Sequence, residues 1–243
     1  GDNPASVMYT SMKKERCLEI GIKAEIYSFP ERTNQTYTEQ DVINKIKSLN
    51  QTVDGIIVQL PLPHALNQDK ILAAIDPARD VDGLTETSLG LVLRNLNASV
   101  PATPKGIIRL LEAYNIQLKG KEIVIVNHSN TVGKPLAMMC VNRGATVTLC
   151  HEYTLDLSYH TTRADILITA VGKANLITAD MVTPGAVVID GGISRINGKT
   201  CGDVDFATVA QKTSYITPVP GGVGPMTVAT LLDNVVNRAS KNL

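Results

Sequence analysis

Tyr9 and Lys13 lie four residues apart in a segment of helical periodicity, which sets both side chains on one face. A lysine beside an aromatic ring in a cleft is desolvated, its pKa falls, and it becomes a usable base or acid. Taken alone, such a pair more often marks a solvated surface contact. Gln59 closes the apolar run Gly55-Ile56-Ile57-Val58 and leads into Leu60-Pro61-Leu62-Pro63. Sheets of α/β proteins hold ligands at strand C-termini, so this amide is placed to hydrogen-bond Lys13 or a substrate. Asp80-Val81-Asp82-Gly83 reads as a turn after a helix, with plain Asx-turn chemistry as the alternative to ligand binding. The glycines and prolines of residues 220–227 either stiffen a helix entry or let backbone approach a flat ligand.

A second group lies in the loop Asn127-His128-Ser129-Asn130-Thr131-Val132-Gly133, between an apolar strand and a helix. Helix N-termini attract anions, so the position suits a phosphate, although the spacing is not GxGxxG and an ordinary βα turn explains it equally. Asn127 is expected at a positive φ, which Asn tolerates best after Gly. Glu152 follows the next strand, where an acid can accept from a ribose 2′-hydroxyl and repel a 2′-phosphate. A solvated surface glutamate is the plain alternative.

These residues need elements to position them. Val7, Met8, Met12, Cys17, Leu18 and Ile20 predict an amphipathic helix over 7–20, stopped by Gly21. Residues 23–29 alternate like a strand, and Thr38 can cap a helix to Asn50. Residues 55–60 resemble a buried parallel strand, followed by a helix over 70–75. Thr103-Pro104 opens a helix through Tyr114, with Thr103 as its cap. The rhythm then restarts: strand 123–126, helix 133–142, strands 146–150, 165–170 and 186–190, and a last helix over 226–238. The expected fold class is α/β with two βα-type domains. Residues 1–102 plus 226–243 form a substrate domain and residues 103–225 a Rossmann-like cofactor domain, the C-terminal helix packing back on the first.

Bulk properties exclude several classes. Lys plus Arg and Asp plus Glu both total 23, a balance unlike the basic excess of nucleic-acid binders. No apolar stretch is long enough for a membrane span, and no signal segment opens the sequence. Cys17, Cys140, Cys150 and Cys201 are scattered, and His64, His128, His151 and His160 lack zinc spacing. Reduced thiols, a cytoplasmic setting and no metal site are therefore expected.

Together the segments resemble the bifunctional methylenetetrahydrofolate dehydrogenase/methenyltetrahydrofolate cyclohydrolase family. The resemblance is carried by Tyr9-x-x-x-Lys13, Val58-Gln59-Leu60-Pro61-Leu62-Pro63, Asp80-Val81-Asp82-Gly83-Leu84, Thr103-Pro104-Lys105-Gly106, Ser129-x-x-Val132-Gly133-Lys134-Pro135 and Thr217-Pro218-Val219-Pro220-Gly221-Gly222-Val223-Gly224-Pro225-Met226-Thr227. These motifs keep the family's order and cover nearly the whole chain. Short-chain dehydrogenases share the Tyr-x-x-x-Lys spacing, but there it follows the dinucleotide fold and here it precedes it.

The resemblance implies two reactions in one cleft, within the one-carbon metabolism that serves purine biosynthesis. A hydride leaves the one-carbon bridge of 5,10-methylenetetrahydrofolate for NADP or NAD, and water opens the resulting methenyl cation to 10-formyltetrahydrofolate. It implies Lys13 as the general acid/base of hydrolysis, Gln59 as its hydrogen-bond partner, Tyr9 against the folate rings and Asp82 anchoring the pterin. Leu60, Pro61, Pro220, Gly221 and Gly222 would shape the substrate site. Asn127, His128, Ser129, Glu152 and Ile193 would hold the cofactor. The resemblance also implies a homodimer through the cofactor domains.

The sequence departs from the family pattern in the cofactor loop, after Cys150-His151 and at its start. Asn127-His128-Ser129 replaces the usual Gly-Arg-Ser, and Glu152 stands where a serine usually helps hold the NADP 2′-phosphate. Losing a fixed positive charge and gaining a negative one costs NADP affinity on the order of a few kcal/mol. A shift toward NAD, or a weakened dehydrogenase, is the expectation. The helix and strand that precede the Gly1-Asp2-Asn3-Pro4-Ala5-Ser6 turn in the family are absent, so a fragment with an exposed sheet edge is expected. A binding protein that kept the fold and lost catalysis is the competing reading, opposed by Lys13, Gln59 and Asp82. Another NAD(P) dehydrogenase is disfavoured because the sharpest motifs lie outside the Rossmann half.

Overall fold

The structure, a computed structural model, describes residues 1–29, 37–96 and 99–240. Its first half is helical: α1 (Pro4–Glu19), α2 (Glu39–Leu49), α3 (Gln68–Leu72) and α4 (Glu86–Leu93). Thr38 caps α2 as predicted, within a capping box completed by Asp41. The apolar face of α2, Val42 and Ile46, packs with Ile56, Ile71, Leu72 and Ile75. Two expectations fail here. Residues 23–29 form no strand, and of the run 55–60 only Ile56 bridges, in parallel, to Asp80. Side-chain patterning supplies faces, but a strand exists only where a neighbour accepts its N–H and C=O groups. The structure gives the second segment that neighbour at Ile56 alone, whose N–H donates to Arg79 O at 2.8 Å.

The second half builds the expected sheet. Its helices are α5 (Ala102–Ala113), α6 (Gly133–Val141), α7 (Leu157–Thr161), α8 (Phe206–Val209) and α9 (Val223–Ala239). Its strands are β1 (Glu122–Val126), β2 (Thr146–Cys150), β3 (Ile166–Thr169), β4 (Val187–Asp190), a hairpin of β5 (Ser194–Ile196) and β6 (Lys199–Cys201), and β7 (Tyr215–Ile216). Five of them form one parallel sheet in the order β2-β1-β3-β4-β7. Successive residues face opposite sides, so an unbroken apolar run means burial on both. Ile123, Ile125, Ile166, Ile168 and Ile189 enter one core with α5 and α6, while Val124, Val126, Leu167 and Val188 enter the other.

Thr103 does not cap α5. The helix begins earlier, at Ala102 after Pro101, and Thr103 instead accepts a hydrogen bond from Thr227 Oγ1 at 3.1 Å. That contact belongs to a seam along which α9 joins the halves. Lys105 Nζ and Arg109 Nη2 each lie 2.8 Å from Asp233 Oδ2. Asn234 Nδ2 donates to Val81 O and Val100 O at 2.9 and 3.0 Å. Leu231 packs with Val81 and Ala102. Residues 241–243 of the expected final segment lie outside the described residues. Among those described, no helix is long and apolar enough to cross a membrane.

Candidate active site

Lys13 projects from α1 to Gln59, donating from Nζ to Oε1 at 2.9 Å. The amide of Gln59 can face only one way, because its Nε2 donates to Leu60 O at 2.8 Å and leaves the oxygen for the lysine. Desolvation draws the half-buried Lys13 amine below its ordinary 10.5, while the carboxylate of Asp82 pulls in the opposite direction. Gln59 is neutral, so it orients the amine without adding a charge that would lock it as ammonium. Asp82 is half-buried. Desolvation pushes its carboxyl up, Lys13 draws it down and Asp80 pushes it up again. The structure thus joins Lys13 to Gln59, with Asp82 within electrostatic reach of the amine.

The other expected substrate residues are more loosely placed. Tyr9 is half-buried one helical turn before Lys13. A cavity of about 1450 Å³ opens at the Lys13–Gln59 pair, lined by Pro61 and by the apolar Ile56, Val81 and Leu231 among others. Pro220 and Gly221 stand exposed and Gly222 buried at the entry of α9, and neither these three nor Tyr9, Leu60 and Asp82 line that cavity.

Asp80 is the functional support that sequence reasoning passed over. It is 1% exposed. Its Oδ1 accepts from the N–H groups of Gly83 and Leu84 at 2.8 and 3.2 Å. Its Oδ2 accepts from Thr85 N, Thr85 Oγ1 and Ser88 Oγ at 2.8, 2.8 and 2.7 Å. Asx-turn chemistry is therefore right for Asp80, and the turn it folds carries Asp82. Gly83 is required within it: φ is +71° and a Cβ would sit 2.6 Å from Ser99 O. The signal was an acid followed by Gly at +3, Thr at +5 and Ser at +8, all short donors able to reach back.

On the other side, β1 is flanked by β2 and β3, so the chain switches direction over the C-terminal end of β1. Doubly wound sheets bind nucleotides at this switch point. Asn127 opens the loop there, but not at a positive φ, which among non-glycine residues occurs at Asn95, Asn115, Asn175 and Asn197. Its side chain does the work instead. Oδ1 accepts from Ser129 N, Ser129 Oγ and Gly133 N at 2.8, 2.8 and 2.9 Å, and Nδ2 donates to Ala170 O beyond β3. Ser129 Oγ in turn accepts from Val132 N at 3.1 Å, so the first amides of α6 find acceptors within the loop. His128 and Glu152 are exposed, with Nδ1 and Oε2 3.7 Å apart. Ile193, 49% exposed, follows β4 in a segment tied down by Asp190, which accepts from Gly192 N, Asp203 N and Val204 N.

At Gly133, a Cβ would run into the carbonyl of Asn127. Gly133→Ala is expected to cost about 1–3 kcal/mol of stability and to weaken dinucleotide binding. Calorimetric titration with NAD+ and NADP+ checks this, and affinities equal to wild type would contradict the account of the loop. The site also fits a dinucleotide in outline, with a switch point, a tightly folded loop ending in glycine and an exposed apolar side chain beyond β4. Among the described residues, no group of three or more His, Cys, Asp or Glu could hold a metal ion.

A nucleotide-type parallel sheet, riveted by α9 to a half bearing a desolvated lysine, is the architecture of a two-part α/β enzyme. The chain belongs to the tetrahydrofolate dehydrogenase/cyclohydrolase family: the model for the family's catalytic domain matches residues 1–82 and that for its NAD(P)-binding domain residues 101–243. It is 52% identical over 242 residues to the bifunctional protein FolD of Wolinella succinogenes, which covers 98% of this chain and 83% of that protein. The FolD of Nautilia profundicola is 49% identical, covering 100% of this chain and 84% of its own length. The crystal structure of the bifunctional FolD enzyme from Campylobacter jejuni is similar at a TM-score of 0.96, with 47% identity over 100% of this chain and 86% of that one. The α/β expectation with a Rossmann-like half and the expectation of a folate dehydrogenase/cyclohydrolase using NAD(P) both hold.

Proposed function

We propose that Lys13, Gln59 and Asp82 perform the hydrolytic half of the family's paired reactions, and that residues 103–225 hold the cofactor for the oxidative half. The enzyme oxidises 5,10-methylenetetrahydrofolate and hydrolyses the methenyl product to 10-formyltetrahydrofolate. The observation that carries the assignment is the Lys13–Gln59 hydrogen bond, which aims a desolvated amine with a neutral partner. When bound, the nicotinamide supplies the hydride acceptor, and the chain's contribution there is positioning.

Hydrolysis needs one proton carrier. Water attacks the bridging carbon of the methenyl cation and its proton passes to the neutral amine of Lys13. As the C–N5 bond breaks, the Lys13 ammonium returns that proton to N5, and the carbinol proton leaves to solvent as the formyl C=O forms. One proton is released overall. Asp82 anchors the pterin and keeps the ammonium form within reach, while Tyr9 flanks the folate rings one turn away on α1.

The hydrolytic rate should therefore rise with pH along a limb set by Lys13, because the neutral amine is the base. Desolvation places that limb below 10.5. Gln59→Glu sets a carboxylate against Nζ, stabilises the ammonium and moves the limb to higher pH. A pH–rate profile of methenyltetrahydrofolate loss checks this, and a limb that stays put in the variant contradicts the assignment. The same reading carries tetrahydrofolate derivatives as ligands, a cytoplasmic location, with which four free thiols agree, and a homodimer through the cofactor halves. Light scattering at assay concentration tests the dimer.

A further inference from the structure

Val126 and Cys150 pair in register at the ends of β1 and β2. The two loops therefore leave the sheet side by side, and the residues two steps out, His128 and Glu152, face each other with Nδ1 and Oε2 3.7 Å apart. Both are open to solvent, with side chains 48% and 62% exposed. The His128 ring also lies 5.1 Å from that of His151, whose Nδ1 accepts from Tyr153 N and so is fixed in the loop. Lys134, in the first turn of α6, is turned to Asn130 Oδ1 at 2.8 Å. The place beyond the second strand of a doubly wound sheet is where the adenosine ribose of a dinucleotide rests. Here it offers a carboxylate with an imidazole beside it.

We propose that Glu152 is the specificity residue for the cofactor: it accepts a hydrogen bond from the ribose 2′-hydroxyl and excludes a 2′-phosphate, so that the enzyme selects NAD over NADP. A vicinal diol donates to a carboxylate, whereas a phosphate dianion beside it meets a like charge in the same space. The proposal rests on reading residues 103–225 as the nucleotide half.

The test is calorimetric titration of the full chain with NAD+ and with NADP+. Wild type is expected to bind NAD+ more tightly by on the order of tenfold or more. Glu152→Gln removes the charge, so NADP+ affinity should rise, NAD+ affinity should fall, and the preference for NAD+ should shrink. The double variant His128→Arg, Glu152→Ser should reverse the preference. Wild type that binds NADP+ as tightly as NAD+, or a Glu152→Gln variant with the wild-type ratio, overturns the proposal. Binding of neither nucleotide overturns it together with the nucleotide reading. NAD+ selectivity without oxidation of methylenetetrahydrofolate supports Glu152 in this role and overturns the dehydrogenase reading alone.

Discussion

Lys13→Met loses methenyltetrahydrofolate hydrolysis by ~10²–10⁴-fold, the usual contribution of a positioned acid/base group, and retains methylenetetrahydrofolate oxidation. Methionine keeps an unbranched stem of similar length, so α1 and its packing stay intact while the proton carrier is gone. Oxidation demands positioning of the one-carbon bridge and no proton carrier, so it should survive. Coupled assays would then show the methenyl product accumulating, followed by its absorbance, where wild type clears it. Lys13→Arg sharpens the test. Arginine preserves the positive charge but cannot be deprotonated at any usable pH, so it should fail at hydrolysis as methionine does. A Lys13→Arg enzyme with wild-type hydrolysis would show that charge alone, and not proton transfer, is what the site requires.

Asp80→Ala should destabilise the protein by about 3–5 kcal/mol, because a buried hydrogen-bond network loses the carboxylate at its centre. Five donors converge on that carboxylate, three of them backbone N–H groups of the turn and of the entry to α4. Alanine cannot replace the acceptor, and Gly83, Thr85 and Ser88, which supply four of the five donors, are buried. For a chain of this length the loss corresponds to a fall in Tm on the order of 10 °C. Hydrolysis should fall as well, since the turn that carries Asp82 loosens. Asp82→Asn separates the two roles: it should leave the Tm close to wild type and weaken folate binding. A thermal melt of Asp80→Ala within about 2 °C of wild type would contradict this account of the turn.

The second half of the fold was legible because its strands are apolar without interruption. Ile123–Val126 or Ile166–Ile168 can be buried on both faces only in a covered parallel sheet. The alternation of residues 23–29 was a weaker guide, since it specifies a face and says nothing of a ladder partner. α4 escaped notice because Glu86, Thr87, Ser88 and Gly90 break any apolar stripe, and its start is set by the Thr85 cap beneath Asp80. The β5–β6 hairpin was legible and unread: Asn197-Gly198, at φ 51° and 77°, is the dipeptide that two-residue hairpin turns favour. At the site, spacing alone left Lys13 one more helical lysine. The resemblance singled it out, and the fold supplied the reason, a neutral amide at 2.9 Å and an acid within electrostatic reach. Asn127 was chosen for its backbone, but it acts through its side chain, which a sequence pattern does not distinguish.

The most direct test of the central claim is titration of Lys13 itself. Proton-detected carbon NMR on lysine-labelled protein, with Lys13→Met identifying the resonance, gives the midpoint. It is expected below 10.5, lower still in Asp82→Asn, where the charge that favours ammonium is gone, and higher in Gln59→Glu. A midpoint at or above 10.5 that neither substitution moves would contradict Lys13 as the proton carrier.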